Sequence, residues 1–178
     1  MQKPLTTLLC CFILLQSFGQ SQRKVSVYLS TQYNHTLYDY TIGNNSFGFG
    51  LGLQTFFNNK TKFKPTLELT GDVFGGTKQL YLNPDGSIPE NENWVSSMVN
   101  LFVGSSFHPT KKIYLSFVAG PSFISGKTQF AIKPSFGFYF SETQRWTGKV
   151  SYVNVFNRTE ITNDDFGSLS FAIGLRLF

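Results

Sequence analysis

The sequence predicts an all-β fold, an eight-stranded antiparallel up-and-down barrel that crosses a membrane with strands. Three observations carry this expectation. From Val25 onward, apolar residues alternate with small or polar ones in segment after segment, the period-two signature of strands with one apolar and one polar face. The segments run about 11–14 residues, where globular strands average nearer five or six and a tilted membrane-crossing strand needs about 9–11. Short connections alternate with longer ones, as they do in up-and-down membrane barrels.

Composition agrees with this. The chain has 178 residues, of which 41% are hydrophobic, 17% aromatic and 14% charged. That length suits one domain, and so little charge excludes a disordered tail. Twenty Phe beside sixteen Gly is foreign to a soluble helical domain, which avoids Gly inside its elements. No stretch of the body approaches the roughly 20 apolar residues of a spanning helix.

Residues 1–19 read as a cleaved signal peptide: Lys3, then an apolar run from Leu5 to Leu15, then small Ser17 and Gly19 ahead of Gln20. Cys10 and Cys11 lie within that run and lack the small preceding residue that lipid attachment needs. The barrel domain, residues 20–178, then has no cysteine and is held without disulfides.

Eight strands follow in order. The first, 25–36, sets Ser26 and Ser30 on its polar phase. The second, 46–57, interleaves Phe47, Phe49, Leu51 and Leu53 with Gly48, Gly50 and Gly52. The third, 63–74, interleaves Phe63, Pro65, Leu67, Leu69 and Val73 with Lys64, Glu68 and Asp72. The fourth, 94–107, carries Ser96 and Gly104 on the polar phase, and the fifth, 113–124, carries Ser116 and Gly120. The sixth, 129–140, has Ser135 and Gly137 there, and the seventh, 146–157, has Ser151. The eighth, 166–178, alternates Leu169, Phe171, Ile173, Leu175 and Leu177 with Ser170, Gly174 and Arg176. Connections 58–62, 108–112 and 141–145 are short, while 37–45, 75–93 and 158–165 are longer. Ser125–Thr128 is a short one in a long slot.

The polar phase is rich in Gly and Ser, where a soluble surface would show Lys and Glu. Small residues fit the tight interior of an eight-stranded barrel, so the apolar phase faces outward. A lipocalin-like soluble carrier would reverse the faces. Aromatic residues gather at two levels. Phe57, Phe63, Phe107, Tyr114, Phe140, Trp146 and Phe178 lie toward the short-turn ends, and Tyr33, Phe47, Trp94, Phe123, Phe130 and Phe166 toward the long-loop ends. Two such rings are the girdles of a membrane barrel. Pro65, Pro121 and Pro134 fall within strands, so each must sit at a bulge or cost a ladder hydrogen bond.

With these features in place, residues 23–178 resemble the small eight-stranded outer-membrane proteins of Gram-negative bacteria, the OmpX and OmpA-barrel type. The resemblance implies an outer-membrane location. It also implies a C-terminal Phe, here Phe178, that helps the barrel-assembly machinery recognise the last strand. Leu177, Leu175, Ile173 and Phe171 stand out of phase with Phe178, which a bulge or a bent last residue would reconcile.

The inward phase collects Lys64, Glu68, Asp72, Lys133, Lys149 and Arg176. Carboxylates on one wall and cations on the opposite wall form the pattern of an ion-pair network, since an unpaired buried charge is costly. The expected role is structural or surface-interacting, in a monomer whose lumen is largely plugged by side chains. A narrow channel or proton relay along those charges is an alternative. Another is a lipid-modifying enzyme, which would need a base beside a hydroxyl; His35, with Ser30, Thr31 and Asp39 nearby, is the candidate, without a supporting motif. No metal-ligand spacing, cofactor motif or nucleic-acid patch is present. Outer-membrane lipids and lipopolysaccharide are the expected partners, with acidic loop residues available to share divalent cations. In the loop 75–93, Leu80, Tyr81, Leu82 and Ile88 flank an Asn-Pro-Asp-Gly turn, a protruding hairpin able to bind a protein by strand addition.

Overall fold

The computed structural model describes residues 24–38, 47–75, 95–124, 127–156 and 165–178. Eight strands form one closed barrel: β1 (Val25–Tyr38), β2 (Phe47–Phe57), β3 (Phe63–Gly75), β4 (Val95–Phe107), β5 (Ile113–Ile124), β6 (Lys127–Tyr139), β7 (Trp146–Val155) and β8 (Phe166–Arg176). Each strand pairs antiparallel with its chain neighbour, and β1 closes on β8 from Tyr28↔Arg176 to Tyr38↔Gly167. Closure leaves no free edge. The expected fold is the one found, with strand bounds shifted by no more than two residues. The leader, residues 1–19, and the connections at 39–46, 76–94 and 157–164 lie outside the described residues.

The alternation sorts side chains as expected. Leu29, Phe49, Leu51, Leu69, Val103, Phe117 and Ile173 are exposed on the outer wall, while Ser30, Ser116, Ser135, Ser151 and Ser170 are buried inside. The inner face is less uniformly polar than its Gly and Ser content implies. Tyr28, Phe56, Tyr114 and Tyr139 form a buried cluster at the short-turn end. Phe74, Met98, Phe102, Val118, Ile124, Ala131, Val153, Val155 and Phe166 form another in the long-loop half.

Large inward rings fit because small residues lie beneath them. A side chain on Gly48 would place its Cβ 2.7 Å from the Phe74 ring. At Gly50 it would strike the Asp72 carboxylate, and at Gly137 the Tyr114 ring. The three glycines of β2 are therefore a floor over which side chains of β1 and β3 reach one another. Gly104 shares the inward phase but is exposed.

Two of the expected girdle residues are corrected. Tyr114 and Phe166 are fully buried, because they share a phase with Ser116 and Ser170 and so point inward whatever their depth. Phe57, Phe63, Phe140 and Trp146 at one end, and Tyr33, Phe47, Phe123 and Phe130 at the other, do face outward and are exposed. Phe107 and Phe178 are half-buried.

The prolines produce no bulge. The β4–β5 ladder keeps its register but skips the pairs opposite Gly120 and Pro121. The β6–β7 ladder likewise skips Lys133 and Pro134, and β2–β3 pairing stops at Phe56↔Thr66, one residue short of Pro65. Each proline thus costs pairing on one side while its other ladder runs through: Pro65↔Ser105, Pro121↔Phe130 and Pro134↔Phe117. The one register shift lies in β1–β8, between Thr36 and Tyr38. At the C-terminus β8 ends at Arg176, whose Nε donates to the Phe178 carbonyl at 2.8 Å. Phe178 has left the strand, so the strand's alternation no longer sets its direction.

Gly50→Val and Gly71→Val should therefore behave oppositely. The first forces a branched side chain into the Asp72 carboxylate and should cost about 2–3 kcal/mol. The second adds bulk on the outer wall, where a Cβ meets nothing within 4 Å, and should leave stability unchanged or raised. Urea midpoints of the refolded barrel in detergent check the pair.

Candidate functional site

The polar layer between the two apolar clusters is built on β3. Alternation sends Glu68 and Asp72 inward, both nearly inaccessible. Across the lumen, Lys133 of β6 and Lys149 of β7 are equally buried. Glu68 Oε1 accepts from Lys133 Nζ at 2.6 Å and from Lys149 Nζ at 2.8 Å. Lys149 also donates to Gln54 Oε1 at 3.3 Å, which in turn accepts from the Tyr114 hydroxyl at 3.4 Å. Lys133 Nζ stands 6.0 Å from the ring centre of Phe102, near the limit for a cation–π attraction.

Asp72 is held differently. Its carboxylate accepts from Gln32 Nε2 at 2.5 Å, Asn34 Nδ2 at 2.6 Å and Asn100 Nδ2 at 3.3 Å. Asn34 is itself fixed by the Ser170 hydroxyl, which donates to its Oδ1, and Asn100 donates to Thr70 Oγ1 at 3.0 Å. Neutral amides thus dress one carboxylate and two lysines dress the other. The four formal charges of Glu68, Asp72, Lys133 and Lys149 cancel.

Of the six inward charges named from sequence, the structure joins Glu68, Lys133 and Lys149 in ion pairs. Asp72 lies in the same layer without an ion pair in hydrogen-bonding reach. Lys64 and Arg176 stand apart at the short-turn mouth. There Lys64 Nζ donates to Asn58 Oδ1 at 3.1 Å, and Arg176 donates to Ser26 Oγ at 3.0 Å. The grouping around His35 is not assembled: His35 and Thr31 are exposed outward, whereas Ser30 is buried inward. Asp39 and the loop residues Leu80, Tyr81, Leu82 and Ile88 lie outside the described residues. Among the described residues no three His, Cys, Asp or Glu converge as metal ligands.

In the sequence His108, just beyond β4 and before Pro109, has the look of an ordinary polar turn residue. It is buried, stacked on Tyr114 with ring centres 5.4 Å apart and edge-on to Phe56 at 5.1 Å. Its backbone N–H donates to the Lys62 carbonyl at 2.8 Å. Burial, with a smaller contribution from the charge of Lys64, pushes its pKa down to about 4. The neighbouring Tyr28 hydroxyl donates at 3.0 Å to the carbonyl of Gln144, a residue with φ of 54° in the last short turn. The signal available beforehand was the aromatic inward phase of Tyr28, Phe56, Tyr114 and Tyr139 at one depth.

No protein-family model and no curated protein matches the sequence. Solved structures do match. The outer membrane protein Ail of Yersinia pestis in a phospholipid bilayer nanodisc superposes with a TM-score of 0.56 at 12% identity, over 85% of this chain and 99% of that one. A crystal structure of Ail, the attachment invasion locus protein, gives 0.56 at 10% identity over 86% and 97%. Its complex with the heparin analogue sucrose octasulfate gives 0.53 at 14% over the same shares. The fold is that of small eight-stranded outer-membrane barrels, as the resemblance read from sequence implied.

Glu68→Gln should strand two buried ammonium groups and cost about 3–5 kcal/mol, whereas replacing Glu68, Lys133 and Lys149 together by Leu and Met should be close to neutral; urea unfolding in detergent separates the two. His108 gives a pH signature. Its folded pKa of about 4 lies below the usual 6.5, so the unfolded chain binds more protons between those values. Stability is full above pH 6.5 and falls as pH drops toward 4, by roughly 1–2 kcal/mol after solvent screening at the rim. His108→Phe should flatten that part of the pH–stability curve.

Proposed function

We propose that this chain is an exported, monomeric outer-membrane barrel with a structural or surface-interacting role, its lumen closed by its own side chains. The observation that carries the reading is the charged layer. Glu68, Lys133 and Lys149 are 1%, 0% and 5% exposed, and with Asp72 their formal charges cancel between an aromatic cluster on one side and an apolar one on the other. A lumen built for conduction would present its charges to water rather than bury them in mutual pairs. The apolar outer wall between two levels of exposed aromatics supports the membrane setting. With the interior filled, contact with other molecules falls to the ends: the loops, including the segment with Leu80–Leu82 and Ile88 that the sequence predicts as a hairpin, and lipopolysaccharide beside them. The terminal strand and Phe178 would engage the assembly machinery, and residues 1–19 would be removed on export.

One observation favours a narrow water or ion path instead. Ser116, Ser122, Ser135, Ser151 and Ser168 bury hydroxyls without a protein partner, as do Gln32 Oε1, Glu68 Oε2 and Asn100 Oδ1. Buried polar atoms of this kind are commonly satisfied by water.

The expected results are a heat-dependent shift in SDS gel mobility for protein from the outer-membrane fraction, and no stepwise conductance in planar bilayers. Conductance that changes with Lys133→Met or Asp72→Asn would overturn the closed lumen in favour of the path. Recovery from the soluble periplasm with no shift would overturn the membrane setting.

A further inference from the structure

The short-turn end of the barrel carries a ring of cations. Lys24, Lys60, Lys62, Lys111, Lys112 and Arg145 are all exposed, and the one acid among the described residues of these turns is Glu142. None of the six forms an ion pair among the described residues. Their backbones, by contrast, are tied down. The carbonyl of Lys24 accepts from Asn58 N at 2.7 Å, that of Lys62 from His108 N at 2.8 Å, and that of Lys112 from Tyr139 N at 2.7 Å. The Arg145 carbonyl accepts from Arg176 N at 2.8 Å, and the Lys111 carbonyl from Gln144 Nε2 at 2.9 Å. Five of the six cationic residues thus use their own carbonyls to stitch one turn or strand to the next, which holds the ring in place and leaves the charged ends free.

Directly beside this ring, Phe57, Phe63, Phe140 and Trp146 point outward and are exposed. Outward aromatics mark the level of the headgroups. We propose that the ring is a binding surface for anionic phospholipid headgroups in the leaflet the short turns face. This rests on the membrane reading above. Charge complementarity and depth both select that occupant over a soluble acidic one. The turns are short and pinned, and Lys62 and Arg145 directly precede the exposed Phe63 and Trp146, a placement from which Lys and Arg extend to phosphate. An excess of cations this close to a bilayer draws anionic lipid, and the attraction fades within a Debye length.

Trp146 reports the local lipid directly. The chain has two tryptophans, so Trp94→Phe leaves Trp146 as the sole emitter. The protein is folded into phosphatidylcholine bilayers containing the same fraction of either phosphatidylglycerol or phosphatidylcholine, brominated near the headgroup. At low salt, quenching should correspond to about a threefold local enrichment of phosphatidylglycerol. The enrichment should collapse at 1 M NaCl and in K60Q/K62Q/K111Q/K112Q. Equal quenching by the two lipids at low salt, with the gel shift confirming a folded barrel, would overturn the proposal. So would enrichment that the substitutions leave unchanged, and so would salt-sensitive cosedimentation with an acidic cell-wall polymer in place of lipid preference. If the fourfold variant does not fold, K60Q/K62Q and the salt titration of the unsubstituted ring decide. A chain that never shows the gel shift removes the membrane reading, and this proposal with it.

Discussion

Two carboxylates on one strand have to be kept charged, or at least satisfied, where water is scarce, and the rest of the barrel is arranged around that requirement. Leaving either alone would cost several kcal/mol. Glu68 is answered from the far wall by Lys133 and Lys149, and Asp72 from its own side by Gln32, Asn34 and Asn100. Through Gln54, Tyr114 and Ser170 the two networks reach side chains on all eight strands. The glycines of β2 belong to the same arrangement. Asp72 reaches the amides of β1 only because Gly50 leaves the intervening strand bare.

That organisation also divides the molecule by chemistry. The outer wall is mostly hydrocarbon and aromatic. The interior spends its polarity on itself, with aromatic rings packed at one end and Phe, Met, Val and Ile at the other. The two ends differ in kind. The short-turn end is cross-stitched by backbone hydrogen bonds, whereas the other carries the longer connections.

Most of the barrel was legible in the sequence, because period-two alternation states strand, face and length together. Phe47–Leu53 and Leu169–Leu175 needed nothing further. Tyr114 and Phe166 were misassigned to the girdles by weighing depth above phase, although Ser116 and Ser170 already marked their faces. The inward charges were legible as a set, but their pairing was not. Which of Lys64, Lys133, Lys149 and Arg176 meets Glu68 depends on the stagger of strands around the cylinder, which no local pattern encodes. Lys64 and Arg176 turned out to belong to the mouth. His108 was missed because a His-Pro turn looks like any polar turn until the rings of β2 and β5 close over it. The prolines were legible as a cost, but which ladder yields depends on which neighbour the missing N–H would have faced.

The pairing of Glu68 bears on how such a barrel assembles. Its partners lie 65 and 81 residues away along the chain, while the β2–β3 pair that carries it is joined by the short turn 58–62. A half-built sheet of the first four strands would close over an unanswered carboxylate, with its counter-charges still waiting in β6 and β7. Loop closure is slow to reward such distant contacts, yet burying Glu68 without them is penalised. The energy landscape therefore disfavours closing the wall strand by strand. It favours a chain that gathers its eight strands before the interior shuts, with the ion pair acting as a checkpoint on the order of folding as well as a strut in the finished wall.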